Sequence, residues 1–448
     1  MATSCANSVR PSYTYKPLPP SAQTRVLEIQ PSMDLSAPLH CRLLPMDLID
    51  EYREEYEALS YTWGQPNFTH ELVIGQHYAK VITPNLHEAL LRFRNQLRVR
   101  RIWVDAVCIS QDDPVEKSRQ IPFMSEIYRY ASTILVWLSN DEKPTAYVKR
   151  INLLAPKLTN ANKVQLELSA AITDIVSLPW FNRRWVIQEV VLNPSVTLFA
   201  GPLTLPWTRL LQVQAKSPVY ILQHLAGIST LGGDINTWRG YQHLAGIWEQ
   251  STIKAHPESR NGILGPLKDF HDSKCVDDRD RIYPFSSLAS DIIFTSPITT
   301  DERSSRILGD RISQTPARKG FAIDYTMSTE NVYATFARHL VESEVISFSK
   351  LLGISAEQIR DDSHPHLKGV SSWAPDWRLE TVGDWSDYHF PLDFTAKFEF
   401  DDFRTSIYSC NDRQGLSRFP EPDVIIAAYK PRPQQRLKLE FSKVADYL

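Results

Sequence analysis

The stretch from Arg101 to Leu138, RIWVDAVCISQDDPVEKSRQIPFMSEIYRYASTILVWL, constrains the fold more than any other part of the chain. Ile102, Trp103 and Val104 form an apolar run that meets an acid, Asp105, and resumes through Val107 as one strand. A polar loop follows, Ser110–Asp113, and then a helix start. Asp113 suits the cap, Pro114 the first helical position, and Glu116, three residues after the cap, the acid of a capping box. Ile121, Met124, Ile127, Tyr128 and Ala131 recur at helical spacing. Ile134 to Leu138 is apolar without alternation, which suits a strand covered on both faces. Strand, helix and strand in this order imply a parallel pair joined by a right-handed crossover. In open sheets of that kind ligands bind beyond the carboxyl ends of the strands, where Asp105 and its loop fall.

Neighbouring segments extend the pattern. Thr24–Ile29 and Leu39–Leu44 read as short strands, and Tyr56–Trp63 as the first core strand, closed by Gly64 and Pro66. Glu71–Ile82 reads as a hairpin turning at Gly75–Gln76. Asn85 is a candidate cap for a helix with Leu86, Ala89, Leu90 and Phe93 on one face. Helices follow over 144–178 and Asn182–Leu192, then a strand at Val196–Phe199. The expectation is an α/β domain: an open parallel, flavodoxin-like sheet of about four or five strands with helices on both faces. A mainly helical region follows, including an amphipathic helix Thr329–Ser343. The domain reading is a flexible arm over 1–22, the sheet domain over 23–205, the helical region over 206–400 and an unassigned tail over 401–448. Within the helical region 295–319 is polar enough to be a flexible insertion.

Composition narrows the function classes. Net charge is −3 with no long basic run, so electrostatics do not favour nucleic acid or a membrane surface. No apolar run reaches the roughly 18 residues of a membrane span, and the start lacks a signal-peptide pattern. Five scattered cysteines without a CxxC pair suit a reducing interior, and a cytoplasmic place is expected. Histidines lack metal-ligand spacing, so no metal site is expected. Glycine-rich phosphate loops, HExxH and GxSxG are absent.

The phrases YEALSYTWG, IWVDAVCISQDD with EKSRQIPFMSEIYRYA, and WFNRRWVIQEV resemble the three blocks of the fungal heterokaryon incompatibility (HET) domain. CVDDRDRIYPFSSLA, FAIDYTMSTENVY and SSWAPDW resemble downstream parts of full-length members, so the likeness covers about residues 12–380. It implies a role in triggering cell death after fusion of genetically unlike cells. It also implies a distant similarity to TIR domains, many of which cleave NAD with a helix glutamate four residues after a tryptophan. Glu189 follows Trp185 at that spacing.

The resemblance makes Glu189 the candidate catalytic acid of an NAD nucleosidase, a hydrolase taking NAD as substrate and needing no cofactor. Trp185, Asp105, Trp63, Gly64 and Arg184 are the candidate substrate contacts. The residues admit plainer roles too. Spacing of four puts Trp185 and Glu189 on one helical face, which equally describes a core tryptophan beside a glutamate paired with Arg183 or Arg184. Asp105, an acid in an apolar run, either holds a ribose or an arginine at the ligand edge or forms a structural ion pair. Trp63 and Gly64 either border a ligand or serve as a core aromatic and a turn glycine. The alternative to an enzyme is a signalling module that self-associates or docks on another incompatibility protein.

Overall fold

The structure, a computed structural model, describes residues 10–18, 23–48, 50, 53–157, 162–215, 235–252, 262–295, 320–356, 358, 367 and 373–379. The chain divides into two compact units, 1–327 and 328–448. Residues 1–9 and 296–319 and the tail 401–448, for which the sequence suggested a loose arm, an insertion and an unassigned end, lie outside the described residues.

The first unit is built on one mixed nine-stranded sheet. Its strands are β1 (Gln23–Ile29), β2 (Leu39–Asp47), β3 (Glu57–Tyr61), β4 (His70–Ile74), β5 (Tyr78–Ile82), β6 (Arg100–Trp103), β7 (Ile134–Ser139), β8 (Val196–Ala200) and β9 (Leu203–Pro206). The spatial order is β5-β4-β2-β1-β6-β3-β7-β8-β9. The four central strands β6, β3, β7 and β8 are parallel, with Ala58 beside both Trp103 and Ile134. The three strands expected to be parallel neighbours therefore are. The expected four or five strands become nine because β1, antiparallel to both β2 and β6, joins the outer strands to the core. A strand whose residues are buried almost throughout needs neighbours on both sides, and β1 has them.

Connections explain where a site can form. From β3 the chain passes through the β4–β5 hairpin and helix α1 (Pro84–Phe93) to β6, on one side of β3. From β6 it passes through α2 (Asp105–Cys108), α3 (Pro114–Gln120) and α4 (Met124–Tyr130) to β7, on the other side. Right-handed crossovers in opposite directions lay their helices on opposite faces. The strand order therefore reverses at the carboxyl ends of β3 and β6, the usual place for a ligand in an open α/β sheet.

Three local expectations change. Asp105 does not lie within a strand. The strand stops at Trp103, and Asp105 starts a single helical turn, its carboxylate accepting the Ala106 N–H at 2.7 Å. Short apolar runs fit strand and helix alike, so Val107 and Cys108, both fully buried, misled. The cap of α1 is Thr83, not Asn85; with Pro84 at the first helical position, Asn85 is free to bridge the Thr62 carbonyl (2.5 Å) and the Trp137 indole (2.9 Å). Asp113 caps α3 as expected, but Glu116 does not reach back to it. Glu116 accepts from Ser110 N–H at 2.7 Å and pairs with Arg25, inside the protein.

Beyond β7 run α5 (Glu142–Leu154), α6 (Asn162–Val176), a 3-10 turn Pro179–Asn182 and the six-residue α7 (Val186–Val191). The helix expected from Asn182 starts four residues later because the 182–184 backbone pairs with Lys274 instead. After β9 come α8 (Trp207–Ala215), α9 (Ile235–Thr252) and α10 (Leu264–Asp269). Residues 11–13 of the arm lie along the β5 edge, with the Tyr13 N–H on the Ala79 carbonyl at 2.8 Å.

The second unit holds α11 (Thr329–Glu342) and α12 (Phe348–Ala356). Val332, Phe336 and Leu340 form the buried face of α11 that the spacing foretold. Trp377, from the SSWAPDW phrase, meets Phe336 edge to face at 5.4 Å.

Candidate functional site

Glu189 lies against Ser60, near the carboxyl end of β3, and is 1% exposed. Strand alternation puts Ser60 and Ala58 on one face of β3, and Ser60 donates its hydroxyl hydrogen to Glu189 Oε2. The same hydroxyl oxygen accepts the indole N–H of Trp180 at 2.7 Å. Arg183 completes the cage, reaching Oε1 at 3.1 Å and Oε2 at 3.2 Å. Four side chains thus form one chain of donors: Trp180 to Ser60, Ser60 to Glu189, and Arg183 to Glu189. Ser60 and Trp180 are as buried as Glu189. The cage is dry, and its charge pair is of the kind whose Coulombic gain must offset a large desolvation cost.

Asp105 stands beside this cage and is half-buried. Its Oδ2 accepts the indole N–H of Trp63 at 3.1 Å. Burial raises its carboxyl from 3.8 to about 6; the nearby Arg183 charge pulls it down, and Glu189 pushes it further up. Burial works against the Arg183 charge as well, yet Glu189 and then Asp105 outweigh it and hold the guanidinium above its ordinary value. Tyr61 and Tyr128 close the surroundings. Burial raises both phenols well above normal, and the Asp105 and Glu189 charges add to the effect. One arginine therefore serves two carboxylates, which leaves about one net negative charge at neutral pH.

The other expected contacts divide. Trp63 is 37% exposed and, with Gly64, forms the outer rim. Gly64 has φ +72°, a left-handed conformation that a side chain rarely adopts, with open space around it. Trp185 is one helical turn before Glu189 along the backbone, and its carbonyl accepts the Glu189 N–H at 3.1 Å. Its indole, however, points elsewhere and donates to Asp280 at 3.0 Å. Arg184 is not brought to the cluster. It is 1% exposed, donates to the Phe270 carbonyl at 2.8 Å and lies over the Phe285 ring at 4.7 Å. Arg183 occupies the place by Glu189. Ser60 and Trp180 were not anticipated. The signal for Ser60 was present, a lone hydroxyl inside the apolar strand YEALSY.

Among the described residues, no group of three or more His, Cys, Asp or Glu side chains is placed to hold a metal ion. None of the described helices is long and apolar enough to cross a membrane.

Comparison with known proteins fits this geometry. Residues 56–189 match the family described as heterokaryon incompatibility protein (HET). The match opens just before β3 and closes on Glu189, so it spans three of the four parallel central strands, β3, β6 and β7, and every member of the cage. The chain is also 33% identical over 229 residues to heterokaryon incompatibility protein 6, OR allele, of Neurospora crassa. That similarity covers 40% of this chain and 33% of the relative, so the chain spans about a third of the relative's length. No solved structure matches the chain.

Proposed function

We propose that this chain, a fungal HET-domain protein, is an incompatibility-type cell-death effector that consumes NAD at the Asp105–Arg183–Glu189 cluster. The observation that carries the reading is the shared arginine. Two carboxylates and one guanidinium converge where the strand order reverses, and their sum is negative. Cleaving the bond between nicotinamide and ribose develops positive charge on the sugar. Nicotinamide leaves neutral with the electron pair of the broken bond, and water adds to the anomeric carbon and gives up a proton to solvent. Such a reaction needs no acid on the leaving group. It needs a fixed negative field at the ribose, which the carboxylates of Asp105 and Glu189 would supply. Asp105 and Trp63 are the members that incoming substrate meets, the acid toward the ribose hydroxyls and the indole toward a ring. Glu189 supplies charge from beneath.

The same cage supports a second reading, because both oxygens of Glu189 are already occupied and almost none of its surface is exposed. On that reading the pair is structural, and the chain acts by self-association or by docking on another incompatibility protein.

Nicotinamide release by the purified chain separates the two. The enzyme reading expects release by wild type and a loss of roughly two orders of magnitude in Glu189→Gln. Growth arrest on expression without any fall in cellular NAD would reject the enzyme and leave the docking module.

A further inference from the structure

The backbone that carries Arg183 is held from outside the matched family stretch. Between the 3-10 turn and α7 the chain has neither helical nor sheet support of its own, and residues 270–280 supply it. The Lys274 N–H donates to the Asn182 carbonyl at 2.6 Å, and the Arg184 N–H to the Lys274 carbonyl at 3.0 Å. Arg184 extends the contact through the Phe270 carbonyl. Arg281 ties the same segment together, donating to the carbonyls of His271 at 2.8 Å and Ser273 at 3.1 Å.

Asp280 ends this clasp. One of its oxygens accepts the Trp185 indole N–H at 3.0 Å, and the other accepts the Tyr325 hydroxyl at 2.5 Å. Tyr325 is fixed in turn. Its N–H donates to Ser118 Oγ at 2.8 Å, and its ring has Lys117 at 4.4 Å and Arg279 at 5.0 Å. Arg279 is gripped by Asp277 and donates to the carbonyls of Tyr325 and Met327.

We infer that Asp280 is a positioning residue: by holding the Trp185 indole it sets the rotation of the first turn of α7, and so where Glu189 meets Arg183. This rests on the reading of that cluster as the working site. The link is short. Trp185 precedes the first residue of α7, and its carbonyl carries the Glu189 N–H. A six-residue helix has little cooperative stiffness of its own, so its orientation comes from side-chain anchors. An indole has one donor, and spending it on Asp280 fixes the direction of the ring. A carboxylate accepts from indole and phenol together. An amide in its place is uncharged and has one acceptor oxygen, so even where its N–H turns to the phenol oxygen the charge-assisted hold on the indole is lost.

The test uses the full chain as wild type, Asp280→Asn and Tyr325→Phe. The second variant removes one hydroxyl, keeps the acid and guards against a general folding defect. Hydrogen exchange is followed in 182–191 and, as a reference, in 134–139. Exchange in 182–191 is expected to rise about tenfold in Asp280→Asn and less in Tyr325→Phe, with 134–139 unchanged. NAD turnover should lose about tenfold or more in kcat while KM stays within about threefold. Unchanged exchange in 182–191 in both variants overturns the proposal, and so does an equal rise in both segments. Faster exchange with unchanged kcat, in a wild type that is active, overturns it too. If wild type releases no nicotinamide, the NAD reading alone falls, and the exchange measurement still decides whether Asp280 positions α7.

Discussion

Arg183 grips Glu189 through both of its carboxylate oxygens, although the two residues lie on opposite sides of Trp185, which turns the other way to Asp280. The pair is nearly dry, with side-chain exposures of 17% and 1%. This changes what the simplest mutation should do. A carboxylate in an open cleft adds little stability, but this one neutralises a buried guanidinium. Glu189→Gln is expected to lose about 3–5 kcal/mol of stability, because it leaves Arg183 buried and unpaired. Arg183→Met added to it should recover part of that loss. Denaturant midpoints of the two single variants and the double variant check the expectation; additive losses would mean that the two side chains are not coupled.

A second prediction concerns pH. Burial raises both Asp105 and Asp280 from 3.8 to about 6 in the folded protein. A raised carboxyl favours the protonated native state. Its contribution is fully present below the unfolded value and is lost as pH rises through the folded one. Asp105→Asn removes one of these titrations. Wild type should therefore lose stability relative to Asp105→Asn as the pH goes from about 4 to about 7. Paired thermal melts across that interval measure it, and a constant difference in Tm would contradict it.

The Arg25–Glu116 pair offers a third. Arg25 reaches Glu116 at 2.5 and 3.0 Å and also donates to the carbonyls of Cys108 and Lys16. It ties β1, the end of α2, the start of α3 and the N-terminal arm together. Arg25→Met alone should cost about 3–5 kcal/mol, and Arg25→Met with Glu116→Leu markedly less than the two losses added. Chemical denaturation is sufficient to check both.

Asn85 and Thr83 give a fourth, a comparison of two positions two residues apart. Thr83→Ala removes a cap bond of 3.4 Å and should cost about 1 kcal/mol or less. Asn85→Ala strands the Trp137 indole N–H and the Thr62 carbonyl, and should cost about 1–3 kcal/mol. Equal losses at the two sites would refute the view that Asn85 braces the end of β3.

How much of this could be read from the chain itself follows from the range of each interaction. The parallel centre was legible because Leu59, Trp103 and Val136 sit in short, mostly apolar runs that suit a sheet covered on both faces. The β4–β5 hairpin was legible because Gly75 supplies the positive φ of its turn. The width of the sheet was not, since pairing β1 with β6 joins residues more than seventy positions apart and leaves no local trace. The family resemblance and the Asp105 region pointed to the carboxyl edge of the sheet, where Asp105, Arg183 and Glu189 come together. The partners of Glu189 were harder. Periodicity places Trp185 and Glu189 on one helical face, and Trp185 keeps helical backbone and the bond to the Glu189 N–H, but its indole is drawn away to Asp280, far along the chain. Which of two adjacent arginines turns inward depended on Lys274 and Phe270, far along the chain and outside any helical or strand period.

The bond between Ser60 and Glu189 spans 129 positions. At synthesis rates of about 5–20 residues per second, Ser60 leaves the ribosome several seconds or more before its partner is made. The anchor of Trp185 comes later still, another 95 positions on. The charge cluster is thus absent from every amino-terminal fragment that stops short of Glu189, and lacks its Asp280 anchor in any that stops short of that residue. A copy terminated before Glu189 carries strands and aromatic residues but no assembled cluster, which sets a built-in delay between the start of translation and the completion of that cluster.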